Sequence, residues 1–242
     1  MAVIVKDEEW KWPSTRTIQL IELQQSTPAD FHPSYDEDRV IWSLSRDGKF
    51  SISSVWNEWR VKKPKVLWAH LVWFSAHIPR VSMIVWVAIW NRLNTREKLV
   101  RIGVGSDSKC GLCQSETESH DHLFFNCPYS SRVWRVLKNK CNVSWGDRPW
   151  NEWVELCSKD LKRKNLGNYI KKLVFNVSVY SLWNERNARI FRKEYKPEEI
   201  IIQEIVNLVR NRMVSMKNIK RSSEDHWLMG EWKLPEYILK HR

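Results

Sequence analysis

The chain has 242 residues, 43% apolar and 28% charged, with a net charge of +12. This balance excludes a disordered chain and leaves room for one large or two small domains, while the excess of cations favours an acidic partner, nucleic acid first. The longest apolar run, Val81 to Trp90, is too short for a membrane span, and the start Met1 to Glu9 lacks the form of a secretory signal, so neither membrane nor secretion is expected.

In chain order, Ser26 to Pro33 reads as loop from its Pro, Asp and Ser content. Val40, Trp42 and Leu44 alternate with Ile41, Ser43 and Ser45, as a half-buried strand does. Asp47-Gly48 then predicts a hairpin turn, with Phe50 and Ile52 on the return strand. Ser53 or Ser54 caps a short helix through Trp56 and Trp59. Trp68, Leu71 and Val72 sit at helical spacing, Ile78-Pro79-Arg80 breaks that helix, and Val81 to Leu93 forms a central one. A short helix starts at Asn94-Thr95-Arg96-Glu97, and Gly103 and Gly105 lead from it into a cysteine-rich loop. Pro128 opens the helix carrying Val133, Trp134 and Leu137. Further on, Tyr169 to Phe191 has a helical apolar face, and Lys196-Pro197-Glu198-Glu199 starts a helix with the stripe Ile201, Ile205 and Leu208. Most of the sixteen tryptophans belong to the core on this reading. The predicted fold is mainly α with a small β-hairpin region, its helical core organised around one metal site. Three parts are expected: a turn-rich region over 1–62, a helical metal-binding core over 63–145 and a basic helical region over 146–242.

Cys110-Gly-Leu-Cys113 followed by His122-Leu-Phe-Phe-Asn-Cys127 reads C-x2-C-x8-H-x4-C. Zinc fills a structural site with four Cys and His ligands in a tetrahedron, leaving no position for a catalytic water. His122 is favoured as the third ligand because it closes a zinc-knuckle spacing; His120 would leave a larger loop. The competing reading is a buried, reduced cysteine cluster without metal. An odd number of cysteines, five, spread over this length argues against a disulfide framework and for a reducing compartment, nuclear or cytoplasmic. Cys141 and Cys157 read as ordinary thiols.

Between Lys159 and Arg221 there are sixteen Lys and Arg against six Asp and Glu, which places most of the excess charge in the final third. Lys162, Arg163 and Lys164 with Lys171 and Lys172 form one candidate phosphate-binding cluster; Arg186, Arg189, Arg192 and Lys193 form another. Lys162 to Lys172 also suits a nuclear-import signal. Phe124, Phe125 and Tyr129 flank the metal loop and either stack on bases or pack beneath the metal.

Several blocks carry a family resemblance. They are Trp10-Lys-Trp-Pro13, Trp42 with Gly48-Lys-Phe-Ser-Ile-Ser-Ser-Val-Trp56, and Trp68 through Ile78-Pro-Arg-Val-Ser82 to Trp86. Asn91-Arg-Leu-Asn-Thr95, the Cys110 to Cys127 block with Glu118 and a following Trp134, and Trp183-Asn-Glu-Arg-Asn-Ala-Arg-Ile-Phe191 continue the order. Together they resemble the zinc-binding region that follows the polymerase domain in plant non-LTR (LINE-type) retrotransposon reverse transcriptases. The resemblance implies zinc on Cys110, Cys113, His122 and Cys127, binding of RNA or DNA, and association with a reverse transcriptase polymerase domain. It does not carry an activity. Tyr35-Asp36-Glu37-Asp38 lacks the apolar strands that flank a polymerase aspartate pair, and no endonuclease or ribonuclease H block is present. A truncated copy, a domesticated remnant and an excised domain all remain open at this point.

A non-catalytic nucleic-acid module is therefore the expected function. The alternative is a protein-interaction scaffold using the Ile201, Ile205 and Leu208 stripe. An enzyme is the weakest reading: His70, His77 and His226 stand singly with no nucleophile pattern, and Glu116 and Glu118 suit support of the metal loop better than acid–base work.

Overall fold

The computed structural model describes residues 5–6, 9–12, 17–28, 40–64, 66–144, 148–222 and 225–240. The Tyr35–Asp38 segment and most of the Ser26–Pro33 loop lie outside them. The chain divides into two units, Met1–Lys63 and Pro64–Arg242.

In the first unit, strands β1 (Val5–Lys6) and β2 (Glu9–Trp10) pair antiparallel, Val5 opposite Trp10. Helices α1 (Ile18–Ser26) and α2 (Ile52–Trp59) follow. The hairpin expected over residues 40–52 is corrected. Its turn is present, with Gly48 at φ 69° and the Trp42 amide donating to the Gly48 carbonyl at 2.8 Å, but no ladder extends from it. Side chains take over the backbone groups: Ser45 Oγ donates to the Lys49 carbonyl at 2.8 Å, and Asp47 accepts from the Lys49 amide at 3.3 Å. Val40 and Ile41 stay exposed, so no buried face stabilises a strand pair that is marginal by itself. Ile52 instead begins α2, which Ser51 caps by accepting from the Ser54 amide; the cap lies two residues earlier than the nearer of the two serines expected.

The second unit is mainly helical: α3 (Ala69–Val72), α4 (Pro79–Ile89), α5 (Arg96–Arg101), α6 (Pro128–Lys140), α7 (Trp150–Asp160), α8 (Leu166–Asn187), α9 (Glu198–Val214) and α10 (Asp225–Glu231). Helix α8 is its axis and packs on α9, α4, α6 and α10. It starts at an Asn165 cap whose side chain accepts from the Asn168 amide at 3.0 Å, and it is buried on nearly all faces from Leu166 to Val179. A helix apolar all round belongs in a core. Asn176 Nδ2 donates to the Leu71 carbonyl at 2.9 Å, fixing α3 to α8. Beyond Asn187 the helix widens into a π turn, Ala188–Arg192, which ends at Lys193 in the left-handed region.

Around α8, Phe175 stacks on Trp153 with centroids 5.0 Å apart, and Trp134, Trp150 and Phe125 complete an aromatic cluster. The tryptophans divide more evenly than expected. Trp134, Trp150, Trp153 and Trp232 are core, whereas Trp56, Trp59, Trp73, Trp90 and Trp227 are exposed. Ile201 and Ile205 are buried and Leu208 is half-buried, so the stripe proposed for a partner helix is used inside the fold.

Lys172 is 3% exposed, and its ammonium lies over the Phe74 ring at 5.4 Å. Burial, with Lys164 nearby, pulls it down to about 8. The folded state therefore disfavours the charge that the unfolded chain carries until about pH 10.4. Stability should rise as pH climbs from about 8 toward that value. Lys172→Met should raise stability at pH 7 and abolish the rise; urea melts across that range measure both, and an unchanged pH profile in the variant counts against the assignment.

Candidate metal centre

Cys110 and Cys113 come from one tight turn. The Gln114 amide closes it on the Cys110 carbonyl at 2.9 Å, Gln114 sits at φ 59°, and the Cys110 amide donates to the Glu116 carbonyl at 2.7 Å. His122 and Cys127 come from a π turn, His122–Asn126, whose wide ring the Cys127 amide closes on the His122 carbonyl at 2.7 Å. Pro128 then starts α6 without needing an amide of its own. The turn and the π turn bring the four ligand atoms within 4.8 Å of one another.

Thiolates on a tetrahedral zinc, each ~2.3 Å from the ion, stand ~3.8 Å apart. Cys110 Sγ and Cys127 Sγ are 3.9 Å apart, and Cys113 Sγ lies 3.3 Å from His122 Nε2. The donors also suit a dication. The Cys110–Cys127 hydrogen bond pushes Cys110 up and holds Cys127 down, so the pair shares a proton that a metal displaces. Burial raises the Cys113 thiol, but hydrogen bonds from Ser115 and from backbone amides outweigh it and hold it below its ordinary value. Glu116 Oε2 lies 3.1 Å from His122 Nδ1, near enough to favour presentation of Nε2 to the centre though outside hydrogen-bond geometry. His120 points elsewhere. Its ring lies 4.4 Å from Trp150 and 4.9 Å from Phe124, and burial takes it down to about 4, keeping it neutral.

The loop is locked to α8 by Glu118, which is fully buried. Its carboxylate accepts from the Arg96 and Gly111 amides, each at 2.8 Å, and from Arg186 Nη2 at 2.6 Å. Arg186 also donates to the Asn94 carbonyl at 3.1 Å and to Asn187. Gly111 packs closely, since a Cβ there would stand 2.9 Å from Ile190 Cδ1 and 3.1 Å from Arg186 Cγ and would push those side chains aside. A second lock runs through Arg189, which donates to Glu185 at 2.7 Å, to the Leu112 carbonyl at 2.7 Å and to the Lys196 carbonyl at 2.8 Å, over the Tyr129 ring.

These contacts correct two phosphate-binding assignments outright. Arg186 is 2% exposed and Lys172 equally deep, so neither reaches a phosphate, and Arg189 is committed to Glu185 and the metal loop. Arg192 is exposed but pairs with Glu194 at 3.0 Å; Lys193 is exposed. Lys162, Arg163 and Lys164 are exposed in the α7–α8 turn, and Lys171 is half-buried beside them. Cys141 and Cys157 are buried core thiols; burial pushes Cys141 up to about 12, and no disulfide joins any of the five cysteines. The sequence reading missed Glu118 and Arg186 as partners 68 residues apart, although both fall in the blocks that carry the family resemblance.

The class of protein is thus a helical domain built on a Cys3His zinc centre. Residues 50–134 match the family described as zinc-binding in reverse transcriptase. A relative in Arabidopsis thaliana that carries a provisional ribonuclease H name is 24% identical over 66% of this chain and 26% of its own length. An uncharacterised mitochondrial protein of the same plant is 34% identical over 34% of this chain and 66% of its own. The chain therefore spans about a quarter of the first relative. No solved structure matches it.

Cys113→Ser should lower zinc below one ion per chain and reduce the melting temperature; unchanged metal content and melting would remove the zinc assignment. Glu118→Gln should cost about 3–5 kcal/mol in denaturant melts, because it strands the Arg186 charge in the core. A loss within the ordinary surface range would mean that the pair is not a lock.

Proposed function

We propose that the chain is a non-catalytic nucleic-acid-binding module of a retrotransposon reverse transcriptase, ordered by zinc on Cys110, Cys113, His122 and Cys127. In this reading residues 63–145 hold the metal, 146–242 supply the basic surface, and 1–62 form a separate turn-rich part. The partner in this reading is a polymerase domain, because the matched family is described as zinc-binding in reverse transcriptase. Four protein ligands leave zinc no open position, which supports a structural ion rather than a hydrolytic one. The ribonuclease H name belongs to a relative of which this chain spans about a quarter, so it assigns no activity here.

The observation that carries nucleic-acid binding is the cationic recess at the start of α8. Lys159, Lys162, Arg163 and Lys171 line a concavity of about 590 Å³ with Asn165 and Asn168, against a single acid among the described residues, Asp160. Lys164 stands exposed beside it. Long flexible cations around a hollow suit a phosphate backbone of RNA or DNA. Changing Lys162, Arg163 and Lys164 together to Ala should weaken binding to both and reduce the slope of log affinity against log salt by about 2–3. Fluorescence anisotropy at several salt concentrations measures this; an unchanged slope rejects the surface.

A second reading, protein interaction, is favoured by one observation. Phe50, Ile52, Trp56, Trp59 and Val61 are all exposed and line an apolar concavity of about 720 Å³ in the first unit. Binding through that surface would be insensitive to salt, which separates the two readings.

A further inference from the structure

A smaller pocket lies beside the metal centre, between the π turn, α6 and α7. Its volume is about 190 Å³, and Phe125, Trp134 and Trp153 form its aromatic wall. Arg135, Lys138 and Arg148 stand at its rim, and among the described residues no acidic side chain lines it. Arg135 and Arg148 are exposed and have no acidic partner among the described residues. Below the ~300 Å³ usual for drug-sized ligands, the hollow suits one ring system rather than a base pair.

The neutral polar groups of the pocket are already occupied. Trp134 Nε1 donates to the Phe124 carbonyl at 2.7 Å, and Ser131 Oγ donates to the Phe125 carbonyl at 2.6 Å. What remains for a ligand is an aromatic surface and the guanidinium groups of Arg135 and Arg148. Phe125 is half-buried and is held in place by stacking on Trp153 at 5.4 Å, so its position is preset. This combination meets a flat aromatic ring carrying a nearby anion.

We propose that this pocket binds a single unpaired nucleotide, the base against Phe125 and the phosphate on Arg135 and Arg148. The proposal rests on the nucleic-acid reading above and names its substrate class as single-stranded. With no unused neutral side-chain donor or acceptor among the described lining residues, the pocket does not read base edges, and binding is tolerant of sequence. A base within a duplex is stacked on both faces and cannot enter.

The test uses the full, zinc-loaded chain with three probes: a labelled single-stranded 12-mer of uridine, a duplex of equal length and uridine monophosphate. Phe125→Leu keeps the apolar bulk but removes the aromatic face; Arg135→Ala with Arg148→Ala alters two exposed side chains and leaves the core intact. Each should weaken single-strand binding roughly tenfold and leave duplex binding unchanged. The Lys162, Arg163 and Lys164 variant should weaken both. Uridine monophosphate that binds as tightly as the strand, with the same loss in both pocket variants, would identify the source as a free nucleotide and still support the pocket. Single-strand affinity unchanged in the arginine variant overturns the pocket while leaving the recess at α8 standing. Wild-type protein that binds no nucleic acid at low salt overturns both.

Discussion

The buried Glu118–Arg186 pair is the constraint on which the rest of the second unit depends. A carboxylate with no exposure is tolerable in the core because every approach to it is a donor: two backbone amides and a guanidinium. Those donors come from three separate places, the start of α5, the Cys110–Cys113 turn and the end of α8. Their convergence on one acid sets the metal loop against the longest helix. Arg189 repeats the logic one turn later by holding the Leu112 carbonyl. The zinc ligands define a local knuckle, and the two arginines decide where that knuckle sits in the fold.

The charge surplus of the final third thus has two uses that the sequence does not separate. Arg186 and Arg189 share the composition and spacing of a phosphate-binding face, yet they spend their charge internally on Glu118, Glu185 and backbone carbonyls. Lys162, Arg163 and Lys164 carry the same charge in a turn that reaches solvent. Only the second group adds to the outward field that a polyanion meets.

Much of the fold was legible because long helices carry strong periodicity. The Pro128 and Pro197 starts lie where the residues place them, the helix expected over Val81 to Leu93 runs instead from Pro79 to Ile89, and the four metal ligands converge as their spacing suggests. The hairpin over residues 40–52 failed because alternation measures a face waiting to be buried, and no strand among the described residues buries it. Asn165 was overlooked as a cap because apolar residues on every side of α8 blur its start. The Ile201 and Ile205 stripe leaves a partner helix as an alternative because periodicity marks an apolar face without saying what covers it; α8 does. The role of Arg186 was hidden for a related reason: an ion pair 68 residues apart leaves no local pattern.

That separation has a consequence for synthesis. All four zinc ligands fall within eighteen consecutive residues, so the knuckle can close as soon as that short stretch leaves the ribosome. Glu118 emerges with it, whereas Arg186 is added 68 residues later. In the interval the carboxylate must remain hydrated, and the loop's inner face cannot be sealed. Metal capture is thus an early, local event, and docking of the knuckle waits for the end of α8. A nascent chain halted before that arginine would hold its ion in a loop with nothing to lean on.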